Sequence, residues 1–597
     1  MAASPLSLSR RLLFSAIVIV GVPLLVLGGL ELALRWAGYG YSPHFFRREK
    51  LANGETVWRE NRWCTAPFFS AALARRPQPV RLPEKKAPGT YRIFVLGSSA
   101  AMGDPEASFS FARVLEAMLR TAYPERRFEV VNAAITAINS NLVRGIAEDC
   151  AKLEPDLFIV YEGHNEVIGP FGPVGVLAPF LRSDAAVRAA IWIKGTRTGQ
   201  LLGNLARPKG APADWGGMEM FLKQQVTADD PRLDAVRTHF RANLTAIVAA
   251  AHRAGAVTLL CTPLTNQRDF APFLSVHRAG LTVADEEKLS DQFRAAEDAT
   301  RAGNLAAAET AYRAAQAIDD HYAEIPFRLG RLALQTGHDD EARTLLARAL
   351  ELDALRFRTD ASLQQVIREV GADAGADVQL VDLAKQVATR SQHGVPGDEF
   401  LYEHVHLTFR GAYEVASELF QSVSTDLVRR RMVNTVAAAP FSVDEARVRL
   451  GYSAYEQAMI TQEMLSRFHK PPFTGQSDNP LRIKNWERRA TLASELLARP
   501  DATPALAEAA KRAIELAPGD WILPRNAGAM LVSRGAPADA LPLLQRAATW
   551  IDDDVDTLVA LALAHRALGH QAEADATLAK IRQLEPNHPA LRTAAAK

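Results

Sequence analysis

Four positions recur at one fixed distance, twice, in a chain of 597 residues. Gly303, Ala308, Tyr312 and Ala315 return 34 residues later as Gly337, Ala342, Leu346 and Ala349. Gly535, Ala540, Leu544 and Ala547 return at the same interval of 34 as Gly569, Ala574, Leu578 and Ile581. A register held over that length marks a stacked repeat, in which a helical hairpin buries its apolar face only against the next copy. A generic Ala-rich hairpin has no reason to keep it. Residues 283–355 and 491–597 are therefore expected to be paired helices packed through small side chains.

These segments resemble the tetratricopeptide repeat, and "DWILPRNAGAMLVSRGAPADALPLLQRAATWIDDD" is the clearest copy. Asp552 stands where the family ends its unit with proline, while Pro518 and Pro586 close other units. The resemblance implies a protein partner bound through the repeats. Fewer than three repeats do not bury a core of their own, so the pair at 283–355 should lean on its surroundings.

At the other end, Leu12 to Leu30 runs without a charge, and at a helical rise of 1.5 Å such a run spans roughly 28 Å, close to a bilayer core. It is longer than a typical signal core and no clean small-x-small cleavage site follows it, so residues 1–36 read as an uncleaved anchor. Arg10 and Arg11 favour a cytoplasmic N-terminus and an extracytoplasmic, periplasmic bulk; Arg35, Arg47, Arg48 and Lys50 on the other side reduce that asymmetry. Trp36, Tyr39 and Tyr41 fall at the far interface. The membrane is thus one expected partner. Nucleic acid is not, because the formal charge is only +1 and no long basic block occurs. Cys64, Cys150 and Cys261 form no CxxC or Cys/His cluster, which argues against a structural metal and a disulfide framework.

Residues 37–90, rich in proline and charge, read as a linker. From Tyr91 the pattern changes: "YRIFVLG", "FEVVNAA", "DLFIVYEG" and "AVTLLCTPL" alternate with helical stretches, and "ADVQLVDLAKQVA" resumes the pattern after the repeats. Alternation with short connections predicts an α/β fold, a parallel sheet covered by helices on both faces, with ligands at the C-terminal strand ends. The body then comprises 91–282 and 356–425, interrupted by the repeat pair at 283–355 and followed by a helical connector at 426–490. Between 170 and 231 the alternation lapses, and a lid over the site is the favoured reading. Arg356 and Arg358, just after the inserted repeats, read as solvated.

The chemistry-bearing residues lie at those strand ends. "FVLGSSAAMG" puts Ser98 and Ser99 where strand turns to helix; "VVNAAITAINSN" offers backbone N–H groups at a turn; "EGHNE" ends a strand with Gly163, His164, Asn165 and Glu166; "EHVH" sets Glu403 three residues before His406. A serine nucleophile needs a base, a group orienting that base and donors for the oxyanion. These segments can supply all three.

In order and placement the four blocks resemble the SGNH (GDSL) hydrolase family, over roughly residues 91–425. The resemblance implies a flavodoxin-like three-layer sheet and an esterase mechanism without metal or organic cofactor. It assigns Ser99 as nucleophile, His406 as base and Glu403 as its orienter, with Asp398 as a fallback. The Ser99 and Ala137 backbone N–H groups and the Asn165 amide become the oxyanion hole, and Gly97, Gly103 and Gly163 support the turns. Four positions depart from the family pattern: Ser98 and Glu166 each replace an aspartate, Ala137 replaces the oxyanion glycine, and Glu403 replaces the triad aspartate. Ala137 serves only if its backbone angles allow. His164 and His404 are expected to be structural. The implied substrate is an ester, with an acylated envelope glycan as one class. Acyl transfer to a sugar hydroxyl, or a non-catalytic scaffold built on the repeats, are the alternatives.

Overall fold

A computed structural model describes all residues except 1–8, 10–13, 16, 52, 70–72, 173–182, 207–216 and 592–597. Five parallel strands form the central sheet in the order β5-β4-β6-β7-β8: β4 (Thr90–Gly97), β5 (Arg127–Asn132), β6 (Leu157–Tyr161), β7 (Val257–Cys261) and β8 (Val378–Val381). Every residue of β4, β6 and β7 is buried. That continuous burial of Val, Ile, Leu and Phe requires cover on both faces. Helices Phe111–Ala122 and Phe409–Arg429 pack together as one layer; Ser140–Cys150, Arg232–Arg253 and Ala361–Asp373 form the other. The chain is thus a mixed α/β protein with a parallel sheet and many helices.

Residues 37–90 are more than a linker. β1 (Phe46–Lys50), β2 (Thr56–Glu60) and β3 (Arg81–Pro83) make a separate antiparallel sheet. Its proline and charge content masked it, because Arg59, an outward-looking residue in sequence, is buried against Asp553 from the C-terminal repeats.

Helices Val283–Arg301, Leu305–Ile318, Glu324–Gln335 and Asp339–Leu352 form the inserted repeat pair. The pair leans on the body through Asp353, which accepts from the Phe273 N–H at 3.0 Å and faces Arg358 at 2.8 Å. Arg356 and Arg358 are therefore buried and not solvated: Arg356 meets Asp360 at 3.1 Å and the Val226 carbonyl at 2.9 Å, and Arg358 meets the Asn266 carbonyl at 3.0 Å. They stitch the end of the insert back into the α/β body. The C-terminal repeats, from Ala502–Leu516 to Gln571–Leu584, fold back onto the small sheet and the body, where Arg525 donates to the Ser108 hydroxyl at 2.8 Å.

The small residues in the repeat register do what their size allows. A Cβ on Gly528 would lie 2.5 Å from Leu544 Cγ, and one on Gly330 would lie 2.8 Å from Leu346 Cγ. Gly528→Ala is expected to overpack that helix pair and to destabilise the C-terminal repeats by about 1–3 kcal/mol. Hydrogen exchange of helix Ile522–Ser533 reads this directly. Unchanged protection there would mean that the pair has room to separate.

At the N-terminus, Val18–Trp36 is long and apolar enough to cross a membrane, with mean hydropathy 2.0 and no residue of its window buried. Arg10, Arg11 and part of the uncharged run lie outside the described residues. The described part of 170–231 forms helices Asp184–Gly195 and Arg197–Leu205, and the second packs on the N-terminal helix. Residues 173–182 and 207–216 of the expected lid lie outside the described residues. All three cysteines are buried and free.

Candidate active site

Gly97 ends β4, and a Cβ there would fall onto the Tyr161 carbonyl of the neighbouring strand. Glycine therefore lets the two strand ends close up while the chain turns into the short helix Ser99–Met102. Of the two serines that follow, Ser98 is 1% exposed and its side chain hydrogen-bonds Glu162; Ser99 is half-buried. Only Ser99 is open to a ligand.

Its hydroxyl lies 2.8 Å from His406 Nε2. The other ring nitrogen, Nδ1, lies 2.6 Å from Glu403 Oε1. The ring thus has a carboxylate oxygen on its Nδ1 side and the Ser99 hydroxyl on its Nε2 side. The loop carrying both residues is built to hold them. Leu401 and Leu407 bridge across its base, Tyr402 N–H donates to the His406 carbonyl at 2.8 Å, and Thr408 caps the helix that follows. Glu403 Oε1 also accepts the backbone N–H of His406 at 2.8 Å and of Val405 at 3.3 Å. The extra methylene relative to aspartate is absorbed by this turn. Burial lowers the His406 imidazole to about 4, a shift that Asp104 opposes and Arg467 reinforces, so the ring is a neutral acceptor across the physiological range.

Ala137 has φ 61°, in the left-handed region a glycine normally fills. Its backbone thus adopts the conformation expected at that turn despite its methyl group. Asn165 donates from Nδ2 to the Ile138 carbonyl at 2.9 Å, which ties the end of β6 to the Ala137 turn. Ser99, Ala137 and Asn165 are all partly exposed while Ala100, Ile138, Asn139 and His164 around them are buried. Gly103 and Gly163 have positive φ, 98° and 145°. Asp398 is not brought to His406; it accepts from Asn266 at 2.9 Å.

Several groups at the site had no signal in the four blocks. Asp104 follows Gly103 directly, and its Oδ2 lies 3.2 Å from His406 Nε2, on the side of the ring that faces Ser99. Burial alone would raise that carboxyl, but His406 and Arg467 hold it at about 2. Arg467 grips it with two hydrogen bonds of 2.6 and 2.9 Å. Arg467 comes from helix Ala454–Phe468 in the connector, hundreds of residues along the chain, and no local pattern could assign it to this site. Arg75, also close to Asp104, donates to the Thr136 hydroxyl at 2.9 Å.

His404 sits beside Glu403 Oε2 inside a box of Phe270, Phe273, Phe357 and Phe473, and burial holds its imidazole well below the usual value. Glu403, His404 and His406 bring three ligand atoms within 4.8 Å of one another. Of the carboxylate oxygens, Oε1 accepts the backbone N–H groups of Val405 and His406. A 490 Å³ cleft between the body and the C-terminal repeats, lined by Arg113, Trp521 and Trp550, does not include Ser99.

Behind the nucleophile, Glu162 and Glu166 are both buried. Glu166 accepts from the Ser140 hydroxyl at 2.6 Å and from the Ser140 N–H at 2.9 Å. Burial raises both carboxyls, Glu166 to about 7, despite the Ser140 bonds. A carboxyl raised on folding contributes stability that is present below its unfolded value of 4.5 and is lost as pH rises through its folded value of about 7. The melting temperature of the wild type is accordingly expected to fall relative to that of Glu166→Gln between about pH 4.5 and 7, the histidines being common to both proteins. Thermal melts of both proteins over that window decide it; equal slopes would remove Glu166 as the cause.

A model of the tetratricopeptide repeat family matches residues 299–359. No curated protein matches the chain. Among solved structures, the TPR2AB domain–pHSP90 complex of yeast Sti1 is 12% identical, covering 52% of this chain and 96% of that one at a TM-score of 0.14. The RpL4 assembly chaperone Acl4 is also 12% identical, covering 48% and 99% at a TM-score of 0.15. Scores this low carry no argument about the whole chain. The repeat assignment stands on the family match together with the 34-residue register.

Proposed function

We propose that the chain is a membrane-anchored serine esterase whose body, 91–282 with 356–425, is a flavodoxin-like domain of the SGNH type. The observation that carries this reading is the line from Ser99 Oγ through His406 to Glu403, with contacts of 2.8 and 2.6 Å. Ser99 attacks the ester carbonyl and its proton passes to His406 Nε2. Collapse of the tetrahedral intermediate releases the alcohol, which takes that proton from His406. Water then gives a proton to the same nitrogen as its oxygen attacks the acyl carbonyl, and collapse of that second intermediate releases the acid while Ser99 Oγ takes the proton back from His406. The Ser99 and Ala137 N–H groups and the Asn165 amide hold the oxyanion, each such donor being worth roughly 10²- to 10³-fold in rate. An acylated envelope glycan suits the anchor and an extracytoplasmic orientation; a sugar hydroxyl replacing water would make the same site an acyltransferase.

The repeat match favours a second role, as a scaffold that binds a protein partner. The two roles separate on one experiment. The full-length protein in detergent is treated with a fluorophosphonate probe and the adduct is located by mass spectrometry. Modification at Ser99, absent in Ser99→Ala, is the expected result. An unmodified Ser99 under conditions that label a control serine esterase would leave the scaffold as the function.

A further inference from the structure

Four large apolar side chains stand out to solvent on one helical hairpin. Trp192 (72% exposed) and Ile193 (50%) belong to helix Asp184–Gly195; Leu202 (57%) and Leu205 (75%) belong to helix Arg197–Leu205. Such a cluster is costly in water unless something covers it.

The hairpin's fastening shows what lies next to it. Glu31, on the N-terminal helix, accepts from the N–H groups of Arg197 (3.0 Å) and Thr198 (2.8 Å) and from the Thr198 hydroxyl (3.0 Å). Asn204 donates to the Tyr39 hydroxyl at 2.9 Å, and Gln200 pairs with the Tyr41 backbone at 2.8 and 2.9 Å. Glu31 directly follows the uncharged run that ends at Leu30. A carboxylate at that depth needs donors, and the first turn of Arg197–Leu205 supplies them, joined by Arg35 at 2.8 Å. The turn between the two helices therefore sits where hydrocarbon gives way to headgroups. Trp192 and Ile193 lie within one helical turn of it, a depth that suits an indole. The exposed patch is thus carried on a hairpin fastened to the N-terminal helix at Glu31.

We propose that the hairpin Asp184–Leu205 is a second membrane contact, lying in the bilayer interface with Trp192, Ile193, Leu202 and Leu205 among the lipids. This rests on the reading of the N-terminal helix as a membrane anchor. Two contacts hold the body against the membrane, where one would let it swing on its tether, and Ser99 is confined to substrates near the bilayer surface.

The test uses full-length protein in phosphatidylcholine vesicles containing doxyl-labelled lipid. The native cysteines are buried, so a polarity-sensitive fluorophore is attached at one introduced cysteine: Trp192→Cys, Leu205→Cys, Leu25→Cys in the anchor, or Leu563→Cys on the exposed surface of the C-terminal repeats. Quenching at 192 and 205 at least about twofold above that at 563, with a blue-shifted emission, is the expected result. Strong quenching at 25 with none at 192 and 205 overturns the hairpin contact and leaves the anchor standing. No quenching at 25 overturns the anchor, and the hairpin contact with it.

Discussion

Ser99→Ala is expected to lower kcat/KM for p-nitrophenyl acetate by about 10³-fold or more, and His406→Ala by a similar factor. The two residues meet at 2.8 Å, and each is useless without the other: a hydroxyl without its base is a poor nucleophile, and an imidazole without the hydroxyl has nothing to activate. Their effects should therefore not multiply. The double variant is expected to be no slower than the worse single variant within about threefold, because what remains is oxyanion stabilisation and binding. Losses that multiply would show that Ser99 and His406 act separately. A Ser99→Ala protein within tenfold of wild type would place the chemistry elsewhere.

Much of the architecture was readable because it is periodic. The 34-residue register and the alternation of strand and helix both leave their period in the sequence, and the insertion point of the repeat pair follows from where β-like sequence resumes at Ala376. The parts that escaped are those whose meaning depends on a distant partner. Arg59, Arg356 and Arg358 have the composition of a solvated surface and become buried only because Asp553, Asp360 and Asp353 meet them. The small antiparallel sheet within 37–90 was hidden for the same reason.

The site divides the same way. Glu403 and His406 are three residues apart on one loop, so their relation is local, and each block around Ser99, Ala137 and Asn165 ends a strand. Arg467 is delivered by the connector after the body is complete, and Asp104 takes on a role only once Arg467 and His406 are beside it. A pattern confined to four blocks has no place for either.

Asp104 also sets the outcome of the most informative substitution after Ser99. His406 Nε2 faces two groups, Ser99 Oγ at 2.8 Å and the Asp104 carboxylate at 3.2 Å. A neutral imidazole carries one proton, and its position decides whether the ring is a base. With the Glu403 carboxyl beside Nδ1, the proton is expected on Nδ1, which leaves Nε2 free to accept from Ser99. In Glu403→Gln the opposing carboxylate is gone from Nδ1 while Asp104 remains charged beside Nε2. The proton moves to Nε2, and Ser99 faces a donor. A loss of about 10⁴-fold in kcat is expected, the size associated with a wrong-tautomer histidine. Burial adds to it, because the imidazolium formed on proton transfer would sit close to Arg467 with no carboxylate on its Nδ1 side. The same argument predicts a partial rescue: with Asp104→Asn added, Nε2 no longer faces a charge, and the double variant should recover about tenfold or more over Glu403→Gln alone. Steady-state kinetics of wild type, both single variants and the double variant, at a pH well above the His406 value of about 4, measure this cycle. A double variant slower than Glu403→Gln would mean that Asp104 stabilises the imidazolium and does not compete for the tautomer.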